Sequence, residues 1–320
     1  ISSIYTWHNA IAKAPLLRQT PLLLHVPIVD DSTAISRIAG DPALAAWPML
    51  LQPMNDPRQA DVPAVHPVSW VMGARRENLG LKCVDPYEPD VDADLRAKER
   101  NPREHPDADY MSKMQQGHLS PSMRAELVLW MDAFARHLGG LPEGTLCRAV
   151  AYLDRVLSVR PVPAHDEALQ LVAAAAVSLG AKHEQFASGR RLNAEVVQAF
   201  LGTTVHVVEE MEWELFMDLG CAMDGPTAYT FVEHFTRFFG REDVFLVRSL
   251  ALRLVNLTLP FFGFVGRILP SAVAASALFL ARQILGVPLS DDLEEVTGYK
   301  AVDLMGCICA LEKLLPRKFS

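Results

Sequence analysis

The sequence is short of the residues that do covalent chemistry or make cross-links. Its five cysteines (Cys83, Cys147, Cys221, Cys307 and Cys309) are an odd, scattered set. Cys307 and Cys309 lack the two-residue gap and the second pair that zinc ribbons and redox motifs use. On a helix their spacing turns the two thiols to different faces, so the expectation is reduced, buried, structural cysteines in an intracellular protein. No G-x-x-x-x-G-K-[ST] or G-x-G-x-x-G loop occurs, and no serine or cysteine sits in a nucleophile-elbow context. His183-Glu184 begins like the zinc motif H-E-x-x-H, but the closing position is Ala187. These absences leave no catalytic residue, no metal-ligand set and no cofactor site to nominate, and an enzyme reading has no residues to support it.

Basic charge and long apolar runs are scarce too. The formal net charge is -8, which disfavours a nucleic-acid partner, since that grip needs a clustered basic face. The best candidate for a membrane span, Ile268 to Ala281, is short, carries Pro270 at its third position and follows Arg267, so it reads as a buried core helix and no membrane partner is expected. No secretory leader is recognisable, and a nuclear or cytoplasmic location is expected. Half of the residues are hydrophobic, a globular composition, and 320 residues suffice for two domains of ordinary size.

Proline is abundant, but only in places. Thirteen of the 22 prolines precede residue 110, and none lies between Pro163 and Pro226. Residues 1–85 are therefore expected to be a proline-rich, largely irregular region, with short helical pieces such as Ala34 to Ala46 at most. Beyond it the apolar periodicity is helical and nothing alternates with the period of a strand. Helices are expected over Val91–Arg100, Ser120–His137 (Ser120 as cap, Pro121 first in the helix, Gly139-Gly140 as the stop), Glu143–Ser158, Asp166–Phe186, Ala194–Leu201 and Val205–Leu219. A second set follows at Thr227–Phe239, Glu242–Leu259, Pro270–Leu285, Asp291–Thr297 and Ala301–Leu315. The two sets match in order and relative length. The third member of each is alanine-rich, with Val172 to Leu179 echoed by Val273 to Leu280. Such a helix lets neighbours approach on all sides and suits the centre of a five-helix bundle. The fold expected is all-α, two tandem five-helix domains, with boundaries at 86–223 (including a leading helix) and 224–320.

Isolated charges embedded in these apolar helices carry what functional signal there is, because each is costly without a partner. Arg124 and Asp154, on the first two long helices and flanked by core-type residues, are expected to form an ion pair that sets helix register. Lys182 ends the alanine-rich helix and Glu212 lies within the fifth. They could form a second internal salt bridge. Alternatively, three ammonium donors and a carboxylate acceptor, flanked by Leu179, His183 and Phe216, could clamp the free backbone groups of a helix from another protein. The second repeat has Gln283 where the first has this basic end, so only the first copy would carry such a surface. Met123, Leu127 and Trp130 share one helix face, as plain core or as a docking stripe, with Glu126 on the same turn arguing that part of it is wet. Glu209, Glu210 and Glu214 read as a solvated face, with Glu212 the exception.

At these residues the chain resembles the cyclins, over about residues 87 to 316. Met123-Arg124-Ala125, Leu127-Val128 and Trp130 resemble the family's M-R-A-I-L-V-D-W opening, and Tyr152 to Ser158 its Y-L-D-R-F-L-S. Leu169 to Val172 followed by Ala181 to Glu184 resembles L-Q-L-V…A-K-Y-E-E, and Met211-Glu212 its M-E. Gly225 to Arg237 and Thr297 to Cys307 resemble the plant F-type cyclins in particular. The resemblance implies tandem cyclin-box domains and a non-catalytic regulatory subunit that binds and activates a cyclin-dependent serine/threonine kinase in cell-cycle control. It implies that Lys182, Glu212, Leu179, His183 and Phe216 contact the kinase, and that Met123, Leu127, Trp130 and Gln170 dock substrate or inhibitor peptides. The chain departs from the family where Glu126 replaces isoleucine, where Ala133 replaces an acid, and where His183-Glu184-Gln185 replaces an aromatic followed by two acids. The first two changes fall on the docking groove, the third on the kinase contact. Arg76 to Leu79 loosely resembles cyclin degradation signals, and Leu81 to Asp85 approximates the retinoblastoma-binding L-x-C-x-E. Rival readings are a paired cyclin-fold transcription adaptor and a degenerate cyclin that engages no kinase.

Overall fold

The computed structural model describes residues 88–163, 166–184, 192–239, 244–287 and 292–315. The expectations for residues 1–85, including the two short motifs just named and Cys83, lie outside them. The described residues are helical with no strand, and no helix among them is long and apolar enough to cross a membrane. By contact they divide into two units: residues 111–221, and residues 222–315 together with 88–110.

In the first unit, α3 (Pro121–Leu138), α4 (Thr145–Val159), α5 (Asp166–Glu184), α6 (Ala194–Leu201) and α7 (Val205–Asp218) form the bundle. The punctuation works as its chemistry requires. Ser120 Oγ accepts the Met123 N–H at 3.1 Å with Pro121 behind it, and Gly139 (φ 66°) closes the helix. Asn193 caps α6, and Gly202 ends it in the left-handed region. Helix α5 is the axle, packed on by α3, α4 and α7. Its run Leu171 to Ser178 is buried throughout, and its small side chains let three neighbours close in at once. The closest approach is at Gly180, where an added Cβ would lie 2.9 Å from Thr145 O and 3.1 Å from Ala149 N on α4. Gln115 completes the unit by donating to Leu157 O and Arg160 O while accepting from Val162 N–H, which satisfies the backbone where α4 ends.

The second unit repeats the plan with α8 (Ala228–Thr236), α9 (Val244–Thr258), α10 (Pro270–Leu285), α11 (Asp292–Thr297) and α12 (Ala301–Leu314). Helix α10 is its axle, with α8, α9 and α12 around it and Ala274, Ala275 and Ala277 fully buried. The leading helix α1 (Glu88–Glu99) packs on α10 and belongs by contact to this unit, whereas sequence order had grouped it with the first. Polar side chains explain this. Arg96 donates to Thr297 O at 2.6 Å, Asp92 Oδ1 meets His234 Nε2 at 3.0 Å, and the buried Glu99 carboxylate accepts from Ser271 N–H and Oγ–H. These partners are up to 201 residues away in sequence, so no local pattern announces them.

Two short elements were not anticipated: α2 (Tyr110–Lys113) and a 3-10 turn at Phe262–Phe264. Both are a single turn, too short to show a period. The cysteines also need a correction. Cys147 and Cys307 are buried and reduced, but Cys221 and Cys309 are exposed. For Cys309 the cause is the helical rotation from Cys307; Cys221 follows the end of α7 with φ 60°, on a turn that faces solvent.

Candidate functional site

Helices α5 and α7 pack side by side in the first unit, and their last and middle turns respectively bring Lys182 beside Glu212. Lys182 Nζ donates to Glu212 Oε2. The two ends of this contact differ. The lysine side chain is 49% exposed and the glutamate side chain only 8%. Glu212 Oε1 is buried and has no hydrogen-bond partner. An ion pair with one wet partner contributes little to stability, while a buried acceptor without a donor costs free energy. The arrangement is therefore poorly explained as internal bracing. The lysine retains donor capacity toward solvent, and the glutamate retains an acceptor.

The flanking residues are where the helical spacing puts them. Leu179 and His183 lie three residues before and one after Lys182 on α5, and Phe216 lies one turn after Glu212 on α7; all three are half-buried. His183 sits edge-on to the buried Tyr152 ring, with centroids 6.4 Å apart. Next to it, Arg148 reaches Glu184 at 3.0 Å from α4. Burial pushes the Glu184 carboxyl up, but hydrogen bonds and charge from His183 and Arg148 outweigh this and hold it below the usual carboxylate range. Sequence reasoning did not single out that pair. It also overlooked Trp213 and Met217, which stand 65% and 54% exposed on α7 beside Glu212. A large aromatic inside the run Glu209, Glu210, Glu212, Glu214 is the signal that could have found the first of them.

The other nominated residues separate from this surface. Arg124 Nε and Nη2 donate to the two Asp154 oxygens at 2.6 and 2.7 Å, and both side chains are buried. This bidentate pair ties α3 to α4 inside the core. On α3 Leu127 is buried, Met123 and Trp130 are half-buried, and Glu126 is exposed; Gln170 on α5 is half-buried. Trp130 leans on Phe134 in a stacked contact at 5.3 Å and meets Phe200 edge-on at 6.0 Å, so much of its ring is spent on packing. The second repeat has no equivalent of Lys182: Gln283 is exposed, and the neighbouring Arg282 turns inward over the Phe239 ring at 4.6 Å. Among the described residues no cluster of three or more histidine, cysteine, aspartate or glutamate side chains could hold a metal ion.

Comparison with known proteins matches residues 92–224 to the model of the cyclin N-terminal domain and residues 226–320 to that of the cyclin C-terminal domain. The chain belongs to the cyclin family. It is 40% identical to the putative cyclin-F1-1 of Oryza sativa subsp. japonica over 95% of this chain and 84% of that protein. It is 46% identical to putative cyclin-F1-2 of the same plant over 70% of this chain and 64% of that protein. Cyclin-A3-4 of Arabidopsis thaliana is 34% identical over 72% of this chain and 62% of its own length. Among solved structures, a viral cyclin from herpesvirus saimiri shares the fold, with a TM-score of 0.57 over 72% of this chain and 98% of that one at 14% identity. The rice relatives agree with the F-type resemblance drawn from Gly225 to Arg237 and Thr297 to Cys307. As a cyclin the chain is a regulatory protein, not a catalyst.

Proposed function

We propose that this cyclin is the regulatory subunit of a cyclin-dependent serine/threonine kinase in cell-cycle control. The observation that carries the reading is the half-satisfied Lys182–Glu212 pair: one exposed ammonium and one buried carboxylate oxygen with no donor, side by side on two packed helices. Such a pair can cap carbonyls and accept N–H groups of a partner's backbone, with Leu179, His183 and Phe216 as the apolar bed. The cyclin adds no reacting group. It presses a mobile kinase helix inward, which forms the kinase's own Lys–Glu pair and helps order its activation loop. It shifts that equilibrium only by the difference in its affinity for the two kinase states.

Truncating either clamp, Lys182→Ala or Glu212→Ala, is expected to cost about 2–5 kcal/mol of complex stability. A pull-down against a panel of cyclin-dependent kinases, followed by histone phosphorylation, tests this. Full recovery of an active kinase by the double variant would sink the proposal. Peptide docking at Met123, Leu127, Trp130 and Gln170 is a weaker part of the same reading, since Glu126 places a charge on that face and Trp130 is engaged with Phe134 and Phe200.

A further inference from the structure

Helix α7 leaves a tryptophan in water for no reason internal to the fold. Trp213 is the most exposed large aromatic side chain among the described residues, and indole is a group that folded chains otherwise cover. Its orientation is nonetheless set. Phe216, one turn on, lies nearly parallel to it, with ring centroids 5.8 Å apart and 27° between planes. Phe216 thus occupies one side of the indole and holds the other outward. A ring already fixed in place loses little freedom when a partner covers it.

The surroundings select the partner's chemistry. Helix α7 carries Glu209, Glu210, Glu212, Glu214 and Asp218 and has no lysine or arginine of its own. Arg160 is engaged by Glu214 and Asp218, each at 3.1 Å, and Lys182 by Glu212. Glu209 and Glu210, one turn before Trp213, are exposed. An electron-rich ring face beside two wet carboxylates attracts a cation, and a guanidinium best of all, because it is planar and stacks. At the adjacent position of α7, Glu212 Oε1, in a side chain more than nine-tenths buried, has no donor.

We propose that the Trp213–Phe216 stack, rimmed by Glu209 and Glu210, receives a basic side chain of the kinase, preferably arginine, and so restricts which kinases this cyclin accepts. The inference rests on the kinase-binding reading above and adds a partner-selecting element to it. Because Trp213 contributes little to the core, substitutions there should leave the melting temperature unchanged.

The test is the dissociation constant of the full chain and its variants for each member of a panel of cyclin-dependent kinases, measured at low and moderate salt. For the kinases that the unaltered chain binds, Trp213→Ala should weaken binding about 10-fold or more. Trp213→Phe should stay within about 3-fold of the unaltered chain, and Trp213→Leu should fall with the alanine variant, since leucine keeps apolar area but no ring face. Glu209→Gln with Glu210→Gln should flatten the salt dependence. Binding by Trp213→Leu equal to that of the unaltered chain would overturn the cation receptor, as would an unaffected Trp213→Ala. If Lys182→Ala and Glu212→Ala abolish binding while Trp213→Ala does not, the kinase-binding reading stands and this inference falls. If the unaltered chain binds no kinase, both fall.

Discussion

At the scale of single residues, the same chemical type does opposite things depending on what surrounds it. Arg124 and Asp154 satisfy each other through two parallel hydrogen bonds in a dry setting. Removing one partner strands a buried charge, so Arg124→Ala or Asp154→Ala is expected to cost about 3–5 kcal/mol in urea unfolding. Replacing both with apolar residues of similar volume should recover most of that loss. Lys182 and Glu212 are also paired, yet one end is wet and one acceptor is unused, so replacing the two together should barely change unfolding while weakening partner capture. The contrast between the two pairs is the sharpest residue-scale check on the division between scaffold and surface. A pH effect belongs here too. Burial pushes the Asp92 carboxyl up, but hydrogen bonds from His234 and Arg96 and their charges prevail, and it sits below its usual value. A carboxyl depressed in the folded state lends stability above its unfolded pKa and loses it as pH falls through the folded one. The second unit should therefore melt earlier as pH drops below about 4, and Asp92→Asn should flatten that part of the profile.

At the scale of elements, side-chain caps open α3, α6 and α8, and the cap of α10 is borrowed. Helix α10 begins at Pro270 behind Leu269, which offers no side-chain acceptor. The acceptor comes from α1, where Glu99, 2% exposed, takes the Ser271 N–H at 3.0 Å and its hydroxyl at 2.9 Å. Tyr299 OH closes the group at 2.7 Å from Ser271 Oγ. A carboxylate at a helix N-terminus is favourable to the free backbone N–H groups and to the dipole. Glu99→Ala should lower the stability of the second unit by about 1–3 kcal/mol, read as an earlier transition in differential scanning calorimetry. Gly180 sets the opposite limit on α5: Gly180→Ala should weaken the first unit, because the new methyl meets α4 backbone and not a movable side chain.

At the scale of the whole molecule, acidity and duplication matter most. With a net charge of -8, retention on duplex DNA at about 150 mM salt is not expected; tight, salt-sensitive retention in a mobility-shift assay would favour the adaptor reading over the kinase subunit. The duplication was legible because each unit is built around an alanine-rich axle, whose composition survives in sequence as Val172 to Leu179 and Val273 to Leu280. Helices of six or more residues were recognisable, the long ones because their apolar positions recur over several turns and the short ones from the turn residues that bound them. Four-residue α2 and the 3-10 turn were not, for want of a period. The candidate site was half legible. Lys182 and Glu212 stand out as charges among apolar neighbours, whereas Trp213 looks like core until its neighbours are known.

The order and length of the helices, the all-α class and the two-fold repeat follow from local preferences alone: periodicity, caps, proline placement and small-residue runs act over a few residues and need no knowledge of distant ones. Only tertiary structure decided that α1 braces the second unit, that Glu212 keeps one oxygen unbonded, and that Trp213 faces water. Those outcomes depend on which side chains meet across 30 to 201 residues of sequence, and long-range contacts of that kind leave no local pattern to read.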